Sequence, residues 1–427
     1  MALIYPFKGY RYSKPAVGDF SQVVSQPYDK TTPSMQDNYY QRSPYNVIRV
    51  TLNLEKRQNP ETDYAQAGLI FRQWIDARIL KQDPVPAIYA YYQEYTADGA
   101  KKLQRGFIAL LDLKNSESGI IPHEQTLAAP KQDRLQLIRS IEANEDLIYM
   151  LYSDNQLTAN RVMDRSISAR QPEIEVTDEY GAIHRLWAIA DQEAVEEIAN
   201  SMRLRNLFIA DGHHRFETSV NYMKECEQNR WRPIGAESFD KRMVACFNLA
   251  DGVTILPTHR LVRDLPSFET QPFLGAVKES FSFETISSAG ELWKKMKEGR
   301  GSHVFGFYPA DVRKFFLLRL NSKANKDLRD LHRLDVSILH ALLLKRCMGI
   351  DENKLESQAH VDYERERENC VRLVDEGKYQ AAFFLNPTSP EQMQRIASLG
   401  ERMPQKSTDF YPKLLTGLVF MKMQISK

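Results

Sequence analysis

A chain of 427 residues, 42% hydrophobic and 26% charged, is long enough for two hydrophobic cores and has the composition of an ordinary globular protein. Its 57 Lys and Arg stand against 56 Asp and Glu, so there is no basic surplus for non-specific nucleic-acid binding and no nucleic-acid partner is expected. No apolar run approaches the ~20 residues of a membrane span, and MALIYPFKGYRY lacks the charged and apolar regions of a secretory signal. The expectation is a cytoplasmic protein with no membrane partner.

In chain order, SQVVSQPYD (21–29) predicts a short strand stopped by Pro27, with Tyr28 and Asp29 in a turn. Ala67, Ile70, Phe71, Trp74, Ile75 and Ile79 recur at helical spacing, which predicts a helix with one buried face over 62–82. The runs 87–96 and 103–113 flank Ala97-Asp98-Gly99-Ala100, a β-hairpin pattern. A loop with IIPHEQTL (120–127) leads into a helix over 130–144. Strands over 172–177 and 183–190 and an acidic helix over 191–204 follow.

NLFIA (206–210) reads as a short buried strand, and a helix is expected over 215–227, after DGHH. MVACFNLAD (243–251) and TILPTHRLV (254–262) close the first half. Further strands are expected near 303–308 and 314–320, and a helix over 334–347. The alternation predicts a mixed α/β chain with no internal repeat, divided into regions 1–265 and 266–427. Cys226, Cys246, Cys347 and Cys370 are far apart without C-x-x-C spacing, and read as free thiols in a reducing compartment.

The strongest local pattern is FIADGHHRFETS (208–219). Gly212 permits a tight turn, and the following helix N-terminus offers unpaired N–H donors and a partial positive charge. His213, His214 and Arg215 add cationic or hydrogen-bonding side chains able to grip a phosphate, and Asp211 is placed to bind Mg²⁺ accompanying a phosphorylated donor. The alternative is an Asp-Gly turn with structural histidines; a zinc site lacks the usual ligand spacing.

His123-Glu124, with Thr126 nearby and Lys131 and Arg134 in the next helix, forms a candidate general-base loop. On physics alone, a lone Glu124 reads more plainly as an exposed loop carboxylate. Lys406, Ser407 and Thr408, between Pro404 and Pro412, could bind a carboxylate or phosphate, and His259-Arg260 could face a cleft. Each also reads as an ordinary loop or packing feature. No Walker-type phosphate loop, protein-kinase signature or dinucleotide fingerprint occurs.

PHEQ, the strand-DGHHR-helix and the late Lys-Ser-Thr loop occur in an order that resembles the free serine kinases of the ParB/sulfiredoxin-like superfamily. The chain also resembles a longer, mainly bacterial family of unknown function sharing DGHHR, with QPYD, LPTHRLV and MPQKSTDFYPKLLTG inside the resemblance. The resemblance implies a ParB/sulfiredoxin-like catalytic core with large insertions and a second α/β region that contributes a loop near 404–413.

It further implies phosphoryl transfer to free L-serine, giving O-phospho-L-serine for cysteine biosynthesis, with ADP, ATP or pyrophosphate as donor and Mg²⁺ as cofactor. By matching motifs, Glu124 becomes the catalytic base, Asp211 the catalytic and metal-binding carboxylate, and Gly212 to Arg215 the phosphate-handling segment. His123, Lys406, Ser407 and Thr408 become substrate contacts, with Thr126, Lys131, Arg134, His259 and Arg260 around them. The pattern departs in two places. Asp409 follows the late loop where the kinases carry a basic residue, and would repel an anion. The spacing from PHEQ to DGHHR is also much longer. A nucleotide-binding regulator without catalysis, or a phosphohydrolase or kinase for another hydroxylated metabolite, are the alternatives.

Overall fold

The computed structural model describes residues 2–59, 62–97, 99–116, 119–122, 128–322, 333–404 and 406–427. Their contacts form two compact units. Ile255–Tyr411 build the second, while the first comprises most of the residues before Ile255 together with Pro412–Lys427.

Unit one is organised on a sheet of nine strands among the described residues: β1 (Ile4–Tyr5), β2 (Ile88–Ala97), β3 (Ala100–Asp112), β4 (Ile120–Ile121), β5 (Ile148–Tyr152), β6 (Ile174–Thr177), β7 (Ile183–Ile189), β8 (Leu207–Asp211) and β9 (Lys241–Asn248). The order is β4-β8-β5-β9-β3-β2-β7-β6, with β1 also pairing β3. β8 runs parallel to β4 and antiparallel to β5, whereas β9 runs parallel to β5, so the sheet is mixed.

Period-two alternation gives this sheet two apolar faces. Ile88, Ala90, Tyr92, Phe107, Ala109, Leu111, Met150 and Ile209 point to one side. There they pack against α3 (Thr158–Ile167) and α4 (Gln192–Met202), whose Val162, Met163, Ile198 and Met202 recur at helical spacing. The opposite side carries Tyr91, Tyr149 and Phe247 in ring contact. α1 (Ala65–Asp76), α2 (Ala128–Ile141) and α5 (His213–Gln228) complete the unit, with α2 packed on both α1 and α5.

Unit two has its own antiparallel sheet: β10 (His259–Val262), β11 (Phe281–Ile286), β12 (Val304–Pro309), β13 (Phe315–Leu320), β14 (Val361–Glu364) and β15 (Ala381–Phe384), in the order β11-β13-β12-β15-β10-β14. One face is covered by α6 (Thr270–Val277) and a π-helix (Leu339–Cys347) over Val262, Phe305, Phe307 and Phe383. The other is covered by α7 (Ala289–Glu298) and α8 (Arg367–Asp375) over Leu261, Tyr308 and Phe384.

The mixed α/β expectation and the hairpin are met, and four local expectations change. Residues 21–29 form no strand. Two 3₁₀ turns flank Ser25, whose backbone instead exchanges hydrogen bonds with Thr416, and Asp19 caps the first turn through Ser21 N. The helix expected over 62–82 stops at Asp76, because Arg78 takes a left-handed φ of 58° and Leu80–Gln82 becomes a strand. The helix over 130–144 ends at Ile141, and Ala143–Asn144 pair with Met421–Lys422. The helix over 334–347 is α for four residues and π thereafter. Cys226, Cys246 and Cys370 are buried and Cys347 half-buried, all as free thiols. Among the described residues, no helix is long and apolar enough to cross a membrane.

Gly106 on β3 is a packing requirement. A methyl there would lie 2.5 Å from the Phe247 ring and 2.7 Å from the Cys246 carbonyl oxygen. Gly106→Ala is expected to lower unfolding free energy by about 1–3 kcal/mol, measured by urea denaturation.

Candidate active site

The chain passes from β8 into α5 through a single residue. Gly212 has φ 94°, a conformation that side chains resist, and its carbonyl accepts from Phe216 N. The helix therefore begins at His213, two residues earlier than its periodicity suggests, and both histidines lie in its first turn. The β8–β5 register shifts between Ile209 and Asp211, which re-aims Asp211 at the strand end. A Cβ on residue 212 would come within 3.0 Å of Arg215 Nε, so the glycine also makes room for that guanidinium.

Arg215 is buried and lies between two carboxylates, 3.6 Å from Asp211 and 3.6 Å from Asp146, while its Nη1 donates to the Leu147 carbonyl. Asp211 receives a second cation: Lys413 Nζ donates to its Oδ2 at 2.7 Å. Burial alone would raise the Asp211 carboxyl. Lys413, Arg215 and Lys30 outweigh that and hold it well below the usual carboxylate range. Asp146 also accepts from Arg242, and Glu145, Asp146, Arg134, Arg215 and Arg242 line a cavity of about 20 Å³.

Glu145 behaves in the opposite way. Burial and the neighbouring Asp146 push its carboxyl up to about 7, against Arg242 and Arg134. The outer part of this region holds His214, whose pKa is lowered by burial and by Lys131 and Arg215 against the pull of Glu217 and Asp29. Chemically, this is a helix N-terminus and several cations grouped around one ionised carboxylate, a setting suited to an anion carrying its own cation.

Of the residues marked from sequence, Asp211, Gly212, His213, His214, Arg215, Lys131 and Arg134 all lie in unit one. Lys131 pairs with Glu217 at 2.8 Å. Arg134 donates to Tyr64 and to the Thr51 carbonyl, and stacks 4.3 Å from the Tyr28 ring. His123, Glu124 and Thr126 lie outside the described residues. No group of three or more His, Cys, Asp or Glu residues able to hold a metal occurs among the described residues. A Mg²⁺ expected at Asp211 would find a single carboxylate there, already engaged by Lys413 and Arg215.

The remaining marked residues lie in unit two. His259 is buried, accepts from Leu385 N through Nδ1, and packs edge-on against Phe384. Arg260 Nη2 donates to the Lys406 carbonyl, and Lys406 takes a left-handed φ of 57°. Ser407 donates to the Pro404 carbonyl, and its own carbonyl accepts from Thr388, which ties the late loop down. Asp409, expected to repel an anion, is buried against Arg365 and so neutralised.

Sequence reasoning missed Lys413, Lys30, Asp146 and Arg242, and set Tyr28 and Asp29 aside as a turn. Pro412-Lys413, inside a long apolar C-terminal stretch, was the available hint. A lysine amid Leu, Phe and Val must find a partner when it is buried.

A family model described as "Protein of unknown function (DUF1015)" matches residues 4–337. The chain belongs to this family. No curated protein matches. Among solved structures, the chain is similar to a conserved hypothetical protein from Pyrococcus furiosus, with 10% identity over 75% of this chain and 95% of that one and a TM-score of 0.34. It is also similar to a free serine kinase in complex with AMP, with 13% identity over 71% and 86% of the two chains and a TM-score of 0.34. A third is SbnI from Staphylococcus aureus with a C-terminal truncation, with 10% identity over 72% and 85% and a TM-score of 0.35.

The raised Glu145 carboxyl has a consequence for stability. Its folded pKa of about 7 lies above the unfolded value near ~4.3, so its contribution is complete below that value and is lost as pH rises through 7. Glu145→Gln removes the ionisable group. The variant is expected to gain stability relative to the parent between pH 5 and pH 8, measured by urea unfolding at each pH. Parallel curves for the two proteins would contradict this.

Proposed function

We propose that this protein is a phosphotransferase acting on a small hydroxylated metabolite, with free L-serine as acceptor and ADP, ATP or pyrophosphate as donor. The observation that carries the reading is Asp211, held ionised by Lys413 and Arg215 at the glycine turn into α5. Phosphoryl transfer asks a protein mostly for positioning and for fixed charge around the moving group. The DGHHR turn and the cations around it supply both.

In this reading, the first-turn N–H groups of α5 and His214 receive donor oxygens. Lys413 sits where charge develops, and Arg215 holds Asp211 in place. Mg²⁺ brought by the donor would be held by Asp211 and would offset phosphate charge. Glu124 takes the proton from the serine hydroxyl, whose oxygen forms the new P–O bond as the donor's bridging P–O bond breaks. The leaving group is AMP, ADP or phosphate, according to the donor. His123, Lys406, Ser407 and Thr408 are assigned to the acceptor by their motif positions. The double engagement of Asp211 by cations also suits a second reading, a nucleotide-binding regulator that performs no transfer.

Phosphorus NMR of the full chain with L-serine and a panel of small alcohols and amino acids, each with ADP, ATP or pyrophosphate, tests the proposal. A new phosphomonoester from serine is expected. Asp211→Asn and Glu124→Gln should each reduce its formation by about 10²-fold or more, with circular dichroism unchanged. Lys413→Met should lower kcat more than it changes KM for serine. Nucleotide binding without a phosphorylated product on any acceptor would favour the regulator and overturn the kinase.

A further inference from the structure

Unit two contains a charge that its own described residues do not balance. Arg260 lies on β10 between β15 and β14, opposite Phe383 and Tyr363, and is fully buried. Its guanidinium stands over the Tyr363 ring at 5.2 Å. Nη1 donates to the Thr258 carbonyl and Nη2 to the Lys406 carbonyl at 3.2 Å, and Nη2 is 3.4 Å from His340 Nε2. Among the described residues, Nε has no hydrogen-bond partner and no carboxylate pairs with the side chain.

Nearby arginines differ. Arg365 has Asp409, and Arg263 has Asp362 and Asp264. A guanidinium does not shed its proton under ordinary conditions, and a buried cation without a counter-charge is costly. Burial draws even this arginine down, to about 10.

A second feature meets it. His340 is the second residue of the π-helix Leu339–Cys347, where the α-helix Asp335–Ile338 widens. Burial and Arg260 push His340 down to about 3, so its imidazole is neutral and keeps one N–H to donate. His259 Nε2, on the neighbouring residue of the same strand, is likewise buried without a partner among the described residues.

We propose that unit two carries its own oxyanion site, in which Arg260 Nε and His340 bind separate oxygens of a phosphate group. A phosphate is favoured over a carboxylate because Nη2 is already committed to the Lys406 carbonyl. The planar two-pronged edge that a carboxylate prefers is therefore half taken, whereas a tetrahedral group can use Nε and the imidazole from different directions. The proposal rests on contacts within unit two and not on the serine-kinase reading.

The test is thermal unfolding and equilibrium dialysis of the full chain with inorganic phosphate, with pyrophosphate and acetate in parallel. Phosphate should raise Tm saturably, and acetate should not. Arg260→Met should melt higher than the parent without phosphate, because the unbalanced charge is gone, and should bind phosphate at least tenfold more weakly in dialysis. His214→Ala, altered in unit one, should keep the Arg260-dependent binding. Unchanged phosphate binding in Arg260→Met, or an equal response to acetate, overturns the proposal. If Arg260→Met does not fold, His340→Asn decides by dialysis: weaker phosphate binding supports the site and an unchanged Kd overturns it.

Discussion

Arg215 stands 3.6 Å from each of two buried or half-buried carboxylates, Asp146 where β5 begins and Asp211 where β8 ends. One guanidinium thereby ties the first turn of α5 to two strands of the sheet. Its third contact, to the Leu147 carbonyl, fixes the side chain against rotation. Removing any member of such a seam strands a charge away from water, and that cost exceeds the net gain from forming the pair. The arrangement is therefore strongly defined in geometry even where its contribution to stability is small. Gly212 belongs to the same constraint, since a side chain there would strike Arg215.

The partner that completes Asp211 comes from far away in the chain. Lys413 lies 202 residues beyond it and is delivered by the C-terminal return to unit one. That return is held by the sheet itself. Gln93 donates to the Lys413 carbonyl, and the Tyr91 hydroxyl accepts from Leu415 N and meets His184 at 2.7 Å. Backbone exchanges with Ser25 and Tyr10, through Thr416 and Phe420, extend the attachment. Tyr91 and Gln93, on the interior strand β2, thus hold the backbone on both sides of Lys413 in place.

Unit two follows a different electrostatic logic. Asp409 looked unfavourable beside a presumed anion loop, but Arg365 cancels it inside the unit. Arg260, with no such carboxylate among the described residues, is the exception that the local structure leaves open. The late loop is built by backbone contacts: Ser407 and Thr388 fix its turns, and the Lys406 carbonyl is turned onto Arg260.

The amino-acid order by itself determined the alternating α/β pattern, the 88–112 hairpin and the glycine turn of DGHHR, because these depend on periodicity and on the φ that each residue tolerates. It also marked Asp211 and Arg215 as a candidate anion site, with a plain Asp-Gly turn as the alternative, and the order of PHEQ, DGHHR and the late loop is what favoured the site. It misread 21–29, where Val23 and Val24 are buried by tertiary contact and not by strand pairing. Only the tertiary structure decided which cation meets which carboxylate: Lys413 with Asp211, Arg242 with Asp146, Arg365 with Asp409. Ion pairing depends on distances of a few ångströms between residues tens to hundreds of positions apart, and no local pattern in a chain encodes those distances.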